Sequence, residues 1–115
     1  MTIKWVKSDP LVMNGEPFCY GTRLTVRNLL EMRRNGLTPA AMLAENPELR
    51  RVGIAEAFLF AGTERARYAE FFAPDGSLMG PGFPPAEAAE LPGYLRTAAG
   101  LVLSAGDAVP EPARR

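Results

Sequence analysis

Apolar positions change period along the chain, and the change predicts its elements. Val26, Leu29, Leu30 and Leu37 fall near one helical face, with Arg27, Glu31, Arg33 and Arg34 mostly around the rest. Thr25 supplies an N-cap hydroxyl before this first helix, and Asn35-Gly36 closes it, since glycine readily takes the left-handed C-terminal conformation. Thr38-Pro39 opens a second helix, with a hydroxyl cap and then proline at the first helical position, where its missing N–H costs nothing. That helix presents Met42 and Leu43 and stops at Asn46, because the residue before Pro47 is pushed out of the α region. The longest helical pattern runs from Val52 to Phe72, with Ile54, Ala57, Phe58, Ala61 and Arg65 on one face. Gly53 and Gly62 weaken it, and its end is expected near Ala73.

Ahead of the helices, residues 3–7 read as a short strand from their β-branched and aromatic content, ending at the turn Ser8-Asp9-Pro10. Leu11–Met13 is a second extended segment. Asn14-Gly15 tolerates positive φ, and residues 17–20 read as the return strand of a small hairpin. A two-stranded ribbon buries too little to stand alone, so it lies against the helices or pairs with the same segment of a second chain, which makes a homodimer an expected state. Beyond Pro74, Asp75-Gly76 and the stretch Gly80–Pro85 hold neither a helix nor a central strand. A short helix is open to Pro85–Leu91. Tyr94–Leu103 is apolar enough to dock, with its period undecided between helix and strand, and Pro110–Arg115 is expected to fray. The chain therefore reads as mainly α: a β-hairpin plus three-helix domain at 1–73 and a Pro/Gly-rich C-terminal extension at 74–115.

Composition sharpens this division. The chain has 115 residues, enough for one domain and a tail. It is 47% hydrophobic, but 17 of these residues are alanine, leaving 37 larger side chains for a core. Net charge is zero, yet residues 1–71 hold ten basic against eight acidic side chains and residues 72–115 hold three against five. The later part also packs seven prolines and six glycines into 44 residues. The chain has no run of 18 apolar residues and no apolar signal-peptide core near its start, so neither membrane insertion nor secretion is supported. One cysteine, Cys19, forms no intrachain disulfide and no Cys-x-x-Cys pair, and a cytoplasmic location is the default expectation.

Enzymatic chemistry finds little footing. The absence of histidine removes the imidazole base of the commonest triads and histidine metal sites. The acidic residues show no repeated metal-ligand spacing, and Gly80-Pro81-Gly82 lacks the N–H groups of a phosphate cradle. Neither catalytic residues, nor a metal, nor a cofactor is expected. Cys19 reads as a packed apolar residue without a charged partner to activate it. Phe58, Phe60, Phe71 and Phe72 read first as core, with Phe60 facing the tail or a partner.

Three short helices with tight connections form the skeleton of a helix-turn-helix, whose last helix is the one expected in a major groove. The candidate DNA contacts are Arg23, Arg27, Arg33, Arg34, Arg50 and Arg51. Competing roles stay open: Arg33 and Arg34 as a solvated helix face, Arg27 as the partner of Glu31 four residues on, and Arg23 as a donor to loop carbonyls.

The order Asp9-Pro10, Asn14-Gly15, Pro17, Gly21-Thr22-Arg23-Leu24-Thr25-Val26, Leu29-Leu30, Gly36-Leu37-Thr38-Pro39, Asn46-Pro47-x-Leu49, Ile54, Ala57 and Phe60-Ala61 resembles family 433 of domains of unknown function. The likeness spans about residues 3–62. It implies a homeodomain-like helix-turn-helix behind a short β element, and a VapB-like antitoxin that binds a PIN-like ribonuclease toxin. Arg50-Arg51-Val52-Gly53 departs from the family's usual Thr or Ser cap with following acids, and so removes a cap and adds positive charge.

These readings combine into a non-enzymatic antitoxin: its domain dimerises and binds operator DNA as an autorepressor, while its extension occludes the toxin. The tail anchors for that partner are Phe83, Leu91, Tyr94, Leu95, Leu101 and Leu103, with Phe71 and Phe72 at the root. The competing reading folds the tail back on its own domain. From another class comes the alternative of an accessory interaction subunit that never binds DNA.

Overall fold

The computed structural model describes residues 5–11, 15–96 and 98–104. Residues 3 and 4, Val12 and Met13 of the second extended segment, Asn14 of the expected turn, Thr97 and Pro110–Arg115 lie outside them.

Two short strands, β1 (Val6–Lys7) and β2 (Phe18–Cys19), pair antiparallel with Val6 opposite Cys19 and Lys7 opposite Phe18. The return strand thus pairs with the first extended segment. The Asp9 carboxylate accepts the Leu11 N–H at 2.9 Å, an Asx turn that diverts the chain there. The ribbon lies on the helices: the Cys19 thiol points at the Gly53 carbonyl, 3.8 Å away, and the Trp5 N–H donates to Glu56.

Helices α1 (Val26–Arg34) and α2 (Pro39–Glu45) begin and end where their caps predict. Thr25 Oγ1 accepts the Asn28 N–H at 3.0 Å while Asn28 returns an acceptor to the Thr25 N–H at 2.9 Å, a reciprocal capping box. Gly36 closes α1 at φ 97°, and Thr38 accepts the Ala41 N–H at 3.1 Å to start α2.

Helix α3 (Arg51–Thr63) stops well short of Ala73. The Thr63 hydroxyl donates to the Phe60 carbonyl, and the Glu64 N–H is shared between Phe60 and Ala61. Residues 64–67 are exposed, and the turn they make brings Tyr68 and Phe71 back into the core through a 3-10 turn, Ala69–Phe71. Two single-turn helices follow, α4 (Pro85–Ala88) and α5 (Gly93–Arg96). Among the described residues no helix is long and apolar enough to cross a membrane.

One core joins both parts of the chain. Val26, Leu29 and Leu30 of α1, Met42 of α2 and Ile54 and Phe58 of α3 share it with Phe83, Leu95, Val102 and Leu103 of the extension. Helix α3 is its centre: Gly53, Ile54, Ala55, Ala57, Phe58 and Ala61 are buried, and only Arg51 and Thr63 are exposed. Cover on every side marks an interior helix.

Candidate functional site

The hairpin end carries an open depression of about 940 Å³, lined in part by Lys7, Leu11, Phe18, Tyr20, Arg23 and Glu48. Gly21, Thr22 and Arg23, which lead into α1, line one side of it. Gly21 takes φ 82°, and the Thr22 hydroxyl both donates to the Cys19 carbonyl and accepts the Leu24 N–H, each at 3.0 Å. This locked turn leads directly into the Thr25 cap of α1. Leu11 is 93% exposed and Tyr20 is 52% exposed. The Tyr20 ring is steadied by Trp5, edge-on at 6.1 Å, and by the Lys7 ammonium 5.4 Å from its centre. Lys7, Leu11, Tyr20 and Glu48 were absent from the sequence-based candidates. The available signal was a lysine in the strand and a tyrosine at the end of its partner.

The six candidate arginines separate. Arg23 is exposed on the rim and bonds no carbonyl among the described residues. Arg50 occupies the N-cap of α3 without a side-chain cap bond, Arg51 begins the helix, and both are exposed. Arg50 borders the hairpin, since its Cβ and that of Trp5 each lie 3.9 Å from where a Gly53 Cβ would stand. Arg27 pairs with Glu70 rather than Glu31 and stacks 5.1 Å from the Tyr68 ring centre. Arg34 is exposed, 4.7 Å from the Phe71 ring centre.

Arg33 is neither a DNA contact nor part of a solvated face. It is wholly buried, donates to the Gly80 and Leu101 carbonyls and lies 4.5 Å from the Phe58 ring centre; burial lowers its pKa to about 10. Helix α3 likewise offers no free face to a major groove, because the hairpin, α1, α2 and the extension surround it.

The turn and cap residues that shape this region lie within residues 6–61, which match the family model described as "Protein of unknown function (DUF433)". Residues 6–61 belong to DUF433. No curated protein and no solved structure matches the chain. The DUF433 unit takes in the hairpin, α1, α2 and all but the last two residues of α3.

The expected tail anchors fold back onto the DUF433 unit. Phe71, Phe83, Leu91, Leu95 and Leu103 are buried, and Phe72 and Leu101 are half-buried. Tyr94 alone among them is exposed, its hydroxyl donating to Glu56. Phe60 meets the chain after α3, edge-on to Tyr68 at 6.3 Å. Cys19 is a packed thiol whose pKa burial pushes up to about 12. Among the described residues no group of three or more Cys, Asp or Glu is placed to hold a metal ion.

Proposed function

We propose that the protein is a non-enzymatic binding module of the antitoxin type, engaging a PIN-like ribonuclease through the hairpin-end depression. The observation that carries this reading is the meeting of two strongly exposed apolar side chains, Leu11 and Tyr20, with the cations Lys7 and Arg23 on one open surface. An apolar centre with a charged rim suits a protein partner. The Ser8 hydroxyl there is engaged by the Gly15 carbonyl at 2.9 Å, and no histidine is present to activate it. The class of partner comes from the motif order, which resembles antitoxins; the helix order reads as homeodomain-like, with α3 serving the core.

Co-expression with the product of the adjacent gene tests the reading. A complex that withstands gel filtration and suppresses RNA cleavage is expected, weakened by Leu11→Glu with Tyr20→Ala. No complex sinks the reading, and a complex with a protein that is not a nuclease favours an accessory subunit. Light scattering in the same run reads whether the chain pairs with itself.

A second reading, operator binding, is favoured by Arg23, Arg50 and Arg51, which are exposed and have no carboxylate partner among the described residues. They suit phosphates rather than base edges. Binding to duplex DNA is then steeply salt-dependent, and Arg50→Ala lowers the slope by about one. Absence of binding at low salt removes this reading.

A further inference from the structure

The DUF433 unit ends at residue 61, yet part of what covers its α1 and α3 comes from beyond it. Phe83 meets Phe58 edge-on with ring centres 6.2 Å apart. Leu101 lies so close over α3 that a Cβ on Gly62 would fall 2.6 Å from its Cδ1. Gly80 passes α1 so tightly that a Cβ there would stand 1.9 Å from the Arg33 carbonyl oxygen. Residues 77–96 and 98–104 thus form a strap seated in a groove between α1 and α3, with the Arg33 guanidinium in its floor.

Two features make this seat exchangeable. The strap has little regular structure of its own, only two single-turn helices and isolated bridges such as Phe83 with Leu103. Its hold therefore rests on the burial of side chains such as Phe83, Leu95, Val102 and Leu103, not on a hydrogen-bonded ladder of its own. The second feature is the cation. Arg33 meets two neutral carbonyls, its Nη2 has no hydrogen-bond partner, and no carboxylate lies within ion-pair reach among the described residues. Carbonyls compensate a buried charge only in part, whereas a carboxylate accepts two parallel bonds from the same fork.

We infer that the α1–α3 groove is a second docking site, closed in cis by the strap, whose occupant in trans is an apolar protein segment presenting a carboxylate to Arg33. The site is separate from the hairpin-end depression. Its assay contains no ribonuclease, so either proposal can fail without the other.

The test uses the full-length chain with Gly80→Ala as the open form: the new Cβ collides with α1 backbone, and φ 93° disfavours any side chain. The probes are labelled peptides of residues 77–101, one ending in a free carboxylate at Leu101 and one amidated. Ending there turns the carbonyl that accepts from Arg33 into a carboxylate. Gly80→Ala is expected to bind the carboxylate peptide about tenfold more tightly than the amide, and Arg33→Met in that background to erase the difference. Wild type is expected to bind both peptides about tenfold or more weakly than Gly80→Ala, because its own strap competes. Equal affinity for the two peptides overturns the carboxylate. Deuterium exchange supplies the other arms: strap amides as protected as those of α3 in Gly80→Ala overturn displacement, and an open strap with no peptide bound overturns the groove. Should Gly80→Ala lose its helical circular dichroism, Leu101→Ser, which removes only the side chain over Gly62, serves as the open form under the same outcomes.

Discussion

The Arg33 guanidinium lies 4.5 Å from the centre of the Phe58 ring, both side chains wholly buried, so the last turn of α1 and the middle of α3 meet through a cation on an aromatic face. The same guanidinium holds the Gly80 and Leu101 carbonyls, and one side chain thereby ties the DUF433 unit to the extension.

Arg33→Met keeps most of the packed stem and removes these donors, leaving two carbonyls to find other partners. A loss of about 1–3 kcal/mol in urea unfolding is expected. Arg33→Lys recovers little of it, because an ammonium lacks the planar fork that reaches both carbonyls. Unchanged stability in both variants would refute the tie.

Alkaline pH tests the packing of Cys19. Burial raises its thiol from 9.0 to about 12, so the folded chain keeps a proton that the unfolded chain releases. A raised pKa gives stability that is fully present below the unfolded value and lost as pH climbs through the folded one. Unfolding free energy from this group is therefore flat up to pH 9 and declines between pH 9 and 12. Cys19→Ala is expected to flatten the first part of that decline. Above pH 10 the Tyr94 phenol adds its own decline, because the Glu56 carboxylate, accepting its hydroxyl hydrogen, raises it from 10.0 to about 12; an equally steep fall between pH 9 and 10 in the variant therefore refutes the thiol's part.

Helix α3 starts without a side-chain cap, and Arg50 already holds the extended backbone of an N-cap, with φ −119° and ψ 146°. Arg50→Ser is expected to raise thermal stability by about 1 kcal/mol. The same change weakens duplex binding if the operator reading holds. Greater stability with unaltered DNA affinity separates the cap from any phosphate contact.

Tyr68 is buried with a hydroxyl that has no hydrogen-bond partner among the described residues, between the Arg27 and Phe60 side chains. Tyr68→Phe keeps the ring contacts and removes the orphan, so stability should hold or rise by about 1 kcal/mol. A clear loss in chemical denaturation means that the hydroxyl is bonded in solution.

The caps and turns were legible in the residues alone. Thr25, Gly36, Thr38 and Pro39 act through bonds to neighbours within four positions, and such bonds form wherever those residues occur together. The end of α3 was not legible, because Glu64–Arg67 carry no strong stop signal and the turn there is fixed by where Tyr68 and Phe71 find apolar cover. The sequence does carry one signal of the helix's interior place: between Val52 and Gly62 only Glu56 is charged, the mark of a helix covered on all sides rather than one laid in a groove.

Residue order alone therefore settled the starts of the first two helices, the lack of histidine chemistry and the DUF433 motif, all carried by local bonds or by composition. Which strand segment answers β2, which arginines face solvent and where the extension lies were settled by tertiary packing. Arginine has the same charge and donors at positions 23 and 33. The difference is that Gly80, Leu101 and Phe58, distant in the chain, close over Arg33 and leave Arg23 in water.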